Sequence, residues 1–205
     1  MTSPYLEASE YIDWQHPQVL AKAQELGADD ADASATARRC FEFVRDRIPH
    51  SLDHQLNPVT CQASEVLIHG TGYCCAKSHL LAALLRANGI PAGLCYQRLS
   101  RHGNGAPYCL HGLNALQLPE FGWYRVDARG NKPGVQAEFM PPIERLAFPI
   151  SDPGEADLRE IWPEPLPSVV KVLRGCRTWD QAWGRWPDVE LIPMVRVDAH
   201  PCKSA

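Results

Sequence analysis

A cysteine attacks carbonyl carbon only as a thiolate, and it needs a base held in place by a third group. Residues 70–92, GTGYCCAKSHLLAALLRANGIPA, deliver Cys74 from a tight Gly-Thr-Gly turn onto the first turn of an apolar helix. A helix N-terminus carries partial positive charge and unpaired N–H groups, so it favours thiolate over thiol. A structural cysteine gains nothing from that position, whereas a nucleophile does. His79 follows on the same helix but lies about 140° around it from Cys74, so it points elsewhere. His111 is better placed, near the start of a strand expected to pack against that helix, and Asp127 falls near the end of the next strand.

Strand parity tests the second pairing. His111 and Asp127 share a face of an antiparallel hairpin only if the connecting loop has odd length. A three-residue loop would set Asp127 opposite Leu113, one diagonal step from His111 and within about 7–8 Å of it. The stretch Pro119 to Phe121 permits that case.

Several elements must position these groups. Segment 17–26 reads as a short helix with Pro17 at its start and Gly27 at its end. Segment 30–49 reads as helical through Ala37, Phe41, Val44 and Ile48, with Pro49 stopping it. Residues 50–61 read as polar and irregular, and HSLDHQLN at 50–57 is expected to wall the cleft. Residues 63–68 give one or two helical turns. The helix from Cys74 to Ala87 is apolar on most faces and so central, with Asn88-Gly89 capping it and Pro91 forbidding continuation. Its Lys77 and Arg86 are expected to snorkel or form ion pairs. Strands are expected at 92–98, 110–118 and 121–128. Many of the 18 prolines crowd the C-terminal third, which reads as a wrapping extension with helical signals only at 168–175 and 178–184.

Composition narrows the function. A net charge of −4 argues against nucleic acid or an anionic membrane as partner. The N-terminus lacks the pattern of a signal peptide, and no apolar run is long enough for a membrane span. Eight cysteines without a C-x-x-C pair point to a reducing, cytoplasmic setting. Cys75, about 100° around the helix from Cys74, is expected to be structural. A zinc-module reading of Cys74, Cys75, Cys95, Cys109 and His111 is disfavoured because the paired knuckles of structural zinc are missing.

Cysteine at a helix start before LLAALLRANGIPA, then a strand histidine, then the aspartate of GWYRVDARGN, together resemble the transglutaminase-like superfamily over roughly residues 30–135. The resemblance implies an α+β, papain-like fold: a helix carrying the cysteine packed on an antiparallel sheet carrying the histidine and aspartate. It also implies a single domain over 1–205, with its core at about 30–135 and an extension at about 136–205. The family pattern sets its cysteine twelve residues before the arginine of LLR, which selects Cys74 over Cys75. By the same matching His111 is the base and Asp127 its orienter. The implied chemistry is attack of Cys74 on a peptide or amide carbonyl through a thioester, hydrolysis rather than cross-linking, with no cofactor and no metal. The Cys74 backbone N–H is the expected first oxyanion donor. A silent peptide-binding copy of the fold is the alternative. The chain departs from the family at Gly112-Leu113, where Ala-Trp often follows the histidine, and this raises the expectation of an altered groove beside the base.

Overall fold

Residues 3–27 and 32–191 are described in a computed structural model of the chain; Cys202 and the first two residues of the expected 30–49 helix lie outside them. Helices α1 (Pro17–Gly27), α2 (Ala33–Arg47), α3 (Ser51–His54) and α4 (Ala63–His69) precede the central helix α5 (Cys74–Ala87). Asp32 caps α2, its carboxylate accepting from the N–H groups of Ser34 and Ala35. Gly70, at φ 64°, ends α4 in the left-handed conformation that glycine adopts without strain.

Strands β1 (Ala92–Ser100), β2 (Tyr108–Leu118) and β3 (Gly122–Val126) follow, then the short pair β4 (Glu138–Met140) and β5 (Ile143–Arg145). The chain continues through β6 (Ala156–Trp162), α6 (Pro167–Gly175) and α7 (Trp179–Gly184). The main sheet is antiparallel in the order β3-β2-β1-β6. Helix α5 is buried from Cys74 to Arg86, with α1, α2 and α4 on one side and β1 and β2 on the other. The mixed helix and antiparallel-sheet architecture is the α+β, papain-like core that the resemblance implies.

Three features depart from the sequence reading. Residues 51–54 form a helical turn inside the stretch expected to be irregular. The C-terminal third contributes β6, which completes the main sheet by pairing with β1; its charged, half-exposed alternation is that of an edge strand and leaves little apolar signal. Lys77 and Arg86 are fully buried and neither snorkels nor pairs with a carboxylate. Lys77 Nζ donates to the carbonyls of Ile48 and Arg129, and Arg86 to those of Ala92, Glu7 and Pro163. Each basic head ties α5 to segments distant in sequence, satisfying backbone acceptors that burial would otherwise leave unpaired.

Candidate active site

The hairpin closes as parity requires. Leu118 pairs with Gly122 across the three-residue loop Pro119 to Phe121, and the register runs back to Asn114 opposite Val126. Continued by one residue, it sets Asp127 level with Leu113, a diagonal step from His111. The side chains meet: His111 Nε2 lies 2.7 Å from Asp127 Oδ2. Asp127 is fully buried and also accepts from the N–H groups of Arg129 at 3.1 Å and Ala147 at 3.2 Å. Phe148 meets the His111 ring edge-on at 5.1 Å. These contacts fix the imidazole, leaving Nδ1 for a hydrogen bond with the Cys74 sulfur.

Cys74 is the first residue of α5, and its sulfur also accepts from the Gly112 N–H at 3.5 Å. Its thiol is held well below the usual range, by a hydrogen bond from Cys75 foremost and then by the charge and hydrogen bond of His111, against the opposing effect of burial. Burial also works against a charged His111, but the Asp127 carboxylate and the Cys74 thiolate overcome it and push His111 up to about 10. Opposite shifts on adjacent groups favour the thiolate and the imidazolium over the neutral pair. The structure thus brings Cys74, His111 and Asp127 together, with Cys74 and His111 lining a cleft of about 530 Å³ and Asp127 buried behind His111. His79 points away and bonds the Cys61 carbonyl at 2.7 Å.

The Gly112-Leu113 departure lies under the site instead of beside the substrate. A Cβ at residue 112 would sit 2.6 Å from Cys75 Sγ and 2.8 Å from Cys75 Cα, so glycine at 112 accommodates cysteine at 75. Leu113 packs with Cys95 and Ala115 in a small apolar cluster away from the main core. Cys75 is buried, and its thiol is pushed well up by its hydrogen bond to Cys74 and by desolvation. The expected groove change is therefore a packing change.

The expected oxyanion donor has a resting partner. The Cys74 N–H is already engaged, donating to His50 Nε2 at 3.1 Å. His50 belongs to the 50–57 segment expected to wall the cleft, and His50, Leu52 and Asp53 do line it. An isolated bridge between His50 and Gly72 holds it beside the Gly-Thr-Gly turn. Sequence reasoning placed the segment but not this contact, because a two-residue bridge between irregular segments has no periodicity to read. On the remaining walls stand Tyr73, Phe148, Trp183 and Trp186. Tyr73 and Trp186 stack at 4.5 Å, and Arg101 lies 4.0 Å over the Trp183 ring. Trp186 is buried, while Trp179 and Trp183 are half-buried against the core. Among the described residues, no group of three or more histidine, cysteine or acidic side chains is arranged to hold a metal ion.

The sequence profile of the Transglutaminase-like superfamily matches residues 20–128, more than half of the chain and all three of these residues. The chain belongs to the transglutaminase-like superfamily. This is a family of cysteine-based enzymes. No curated protein matches the chain. Among solved structures it is similar to a "putative cysteine protease" from Cytophaga hutchinsonii, with 18% identity, a TM-score of 0.51, and coverage of 62% of this chain and 41% of that one. It also aligns with the periplasmic domain of TgpA from Pseudomonas aeruginosa at 22% identity and a TM-score of 0.45, covering 60% of this chain and 45% of that one. The alignments thus span less than half the length of either structure, and at these identities the first supports the fold alone.

Proposed function

We propose that the protein carries out thiol-dependent acyl chemistry on a peptide or amide bond, with Cys74 as nucleophile, His111 as acid and base, and Asp127 as orienter. The observation that carries this reading is geometric: Cys74 at the start of α5 and His111 line one accessible cleft, and His111 Nε2 is fixed 2.7 Å from a buried carboxylate. The Cys74 sulfur forms a bond to the carbonyl carbon as the C=O π pair moves onto oxygen. When that pair returns, the C–N bond breaks and the leaving amine takes the proton from His111 Nδ1. Neutral His111 then removes a proton from water, which attacks the thioester and expels the thiolate.

Hydrolysis is favoured over transfer because water needs no second binding surface, and a 530 Å³ cleft suits one small acyl donor. Intact-mass detection of an acetylated chain after treatment with 4-nitrophenyl acetate, absent in Cys74→Ala, tests the acyl-enzyme. Adding cadaverine then separates the acceptors. Acetate without acetylcadaverine supports hydrolysis, predominant acetylcadaverine supports transfer, and no acetylation of Cys74 ends the acyl-transfer reading.

A further inference from the structure

The first-turn N–H groups of a helix have no partner within it, and in an acyl-transfer site the N–H of the nucleophile's own residue is aimed where the oxyanion develops. Here that N–H ends on an imidazole: His50 Nε2, 3.1 Å away, on a side chain only 6% exposed. Because Nε2 accepts, the neutral ring carries its proton on Nδ1. That buried Nδ1 finds no hydrogen-bond partner among the described residues. A carboxylate oxygen of Asp53 lies 3.9 Å from it, too far for a hydrogen bond. Asp53 is itself anchored by Arg129 at 2.8 Å and Lys132 at 2.7 Å.

The geometry points to His50 as a catalytic residue, the second oxyanion donor, which retreats toward Asp53 as the tetrahedral intermediate forms and donates from Nε2. The distances fit this movement. A retreat of about 1 Å closes the Nδ1–Asp53 gap to an ordinary hydrogen bond of about 2.9 Å. The same retreat opens the separation between the Cys74 nitrogen and His50 Nε2 to about 4 Å, at which one oxygen accepts from both at about 2.9 Å. The resting contact thus fills the oxyanion position with a group that becomes a donor on moving aside.

Donation from Nε2 while Nδ1–H faces Asp53 requires the imidazolium, so the retreat is coupled to uptake of one proton from water in the cleft that His50 lines. That proton returns to water when the intermediate collapses and Nε2 again accepts from the Cys74 N–H. The groups facing His50 are the Cys74 thiolate on α5, the Tyr73 ring at its N-cap, Asp53 on α3 and Arg129 beyond β3. Burial and Arg129 disfavour its charge, while the hydrogen bond and charge of Cys74, and Asp53, favour it. The proton on Nε2 is shared with the oxyanion and not transferred; the leaving amine still takes its proton from His111.

This assignment rests on the acyl-transfer reading, and one pair of reagents separates the two. Iodoacetamide alkylates the thiolate without forming an oxyanion, whereas 4-nitrophenyl acetate acylates it through one. His50→Ala is expected to lose roughly 10²–10³-fold in acylation, while Cys74 alkylation, compared at a pH above the thiol titration of each protein because His50 also hydrogen-bonds the sulfur, stays within about threefold, which also shows that the site is folded. His50→Gln places a non-titrating N–H donor there; it is expected to recover much of the loss and to abolish the fall in wild-type acylation that follows as rising pH opposes proton uptake by His50. Equal losses in acylation and alkylation would overturn the assignment in favour of a helix cap. So would wild-type acylation by His50→Ala, or a His50→Gln profile with an unchanged alkaline fall. A wild type that is alkylated at Cys74 but never acylated would remove the acyl-transfer reading, and this assignment with it.

Discussion

Two histidine–aspartate pairs reach Cys74, and the same two residue types behave in opposite ways. On the sheet side, His111 Nε2 is 2.7 Å from Asp127, and the carboxylate is sealed from solvent with two backbone N–H groups as its other partners. On the α3 side, His50 Nδ1 stands 3.9 Å from Asp53, whose carboxylate is shared between Arg129 and Lys132. Burial disfavours charge on both rings; it prevails at His50, which is lowered, whereas Asp127 and Cys74 reverse it at His111, which is raised to about 10. A nearby carboxylate makes a base only when its charge is not already spent on other cations. One pair is therefore suited to holding a proton against the thiolate, and the other to receiving one when negative charge appears.

The largest break in this comparison is His111→Ala, expected to cut turnover by on the order of 10⁴-fold or more. It should also change the pH profile of Cys74 alkylation. In the wild type the rate holds across the neutral range and falls as pH drops through the depressed Cys74 pKa, where the thiolate gains a proton. Without His111, the rise should shift toward the free-thiol range near about 8.5, as mass-spectrometric mapping of iodoacetamide labelling would show. An unchanged profile would mean that His111 does not set the thiolate.

Asp127→Asn comes next, at roughly 10²–10³-fold in kcat, less than the ~10⁴ of a serine triad because the thiolate is formed in advance. Asp53→Asn should cost only about tenfold in acylation, the worth of one charge-assisted hydrogen bond, and leave alkylation nearly intact. If Asp53→Asn proved as damaging as Asp127→Asn, or slowed alkylation equally, the contrast between the two pairs would be wrong. Cys75→Ala is the smallest change. It removes a weak S–H donor to Cys74 and should raise the thiolate titration slightly, lowering turnover by about threefold. A dead Cys75→Ala beside an active Cys74→Ala would instead identify Cys75 as the nucleophile.

Sequence legibility divides along the same line. The His111–Asp127 pair was readable because both residues belong to one hairpin, whose register follows from loop length and the period-two alternation of strands. Helix α5 was readable from its apolar run and from Asn88-Gly89 and Pro91 beyond its end. The His50 pair was legible only as a polar loop near the cleft, since its approach to Cys74 depends on the His50–Gly72 bridge. The burial of Lys77 and Arg86 is illegible in the sequence for the same reason, their partners being carbonyls contributed by distant segments.

What the sequence determined by itself was the order and local geometry of Cys74, His111 and Asp127, the proposed nucleophile, base and orienter, because caps, turns and strand alternation act over a few residues. Tertiary structure alone decided the rest. It joined β6 to β1, brought the Ala147 N–H onto Asp127 and Arg129 onto Asp53, and aimed the Cys74 N–H at His50. Those contacts join segments far apart in the chain, and their partners are chosen by packing and by the need to satisfy buried polar groups, which no local pattern encodes.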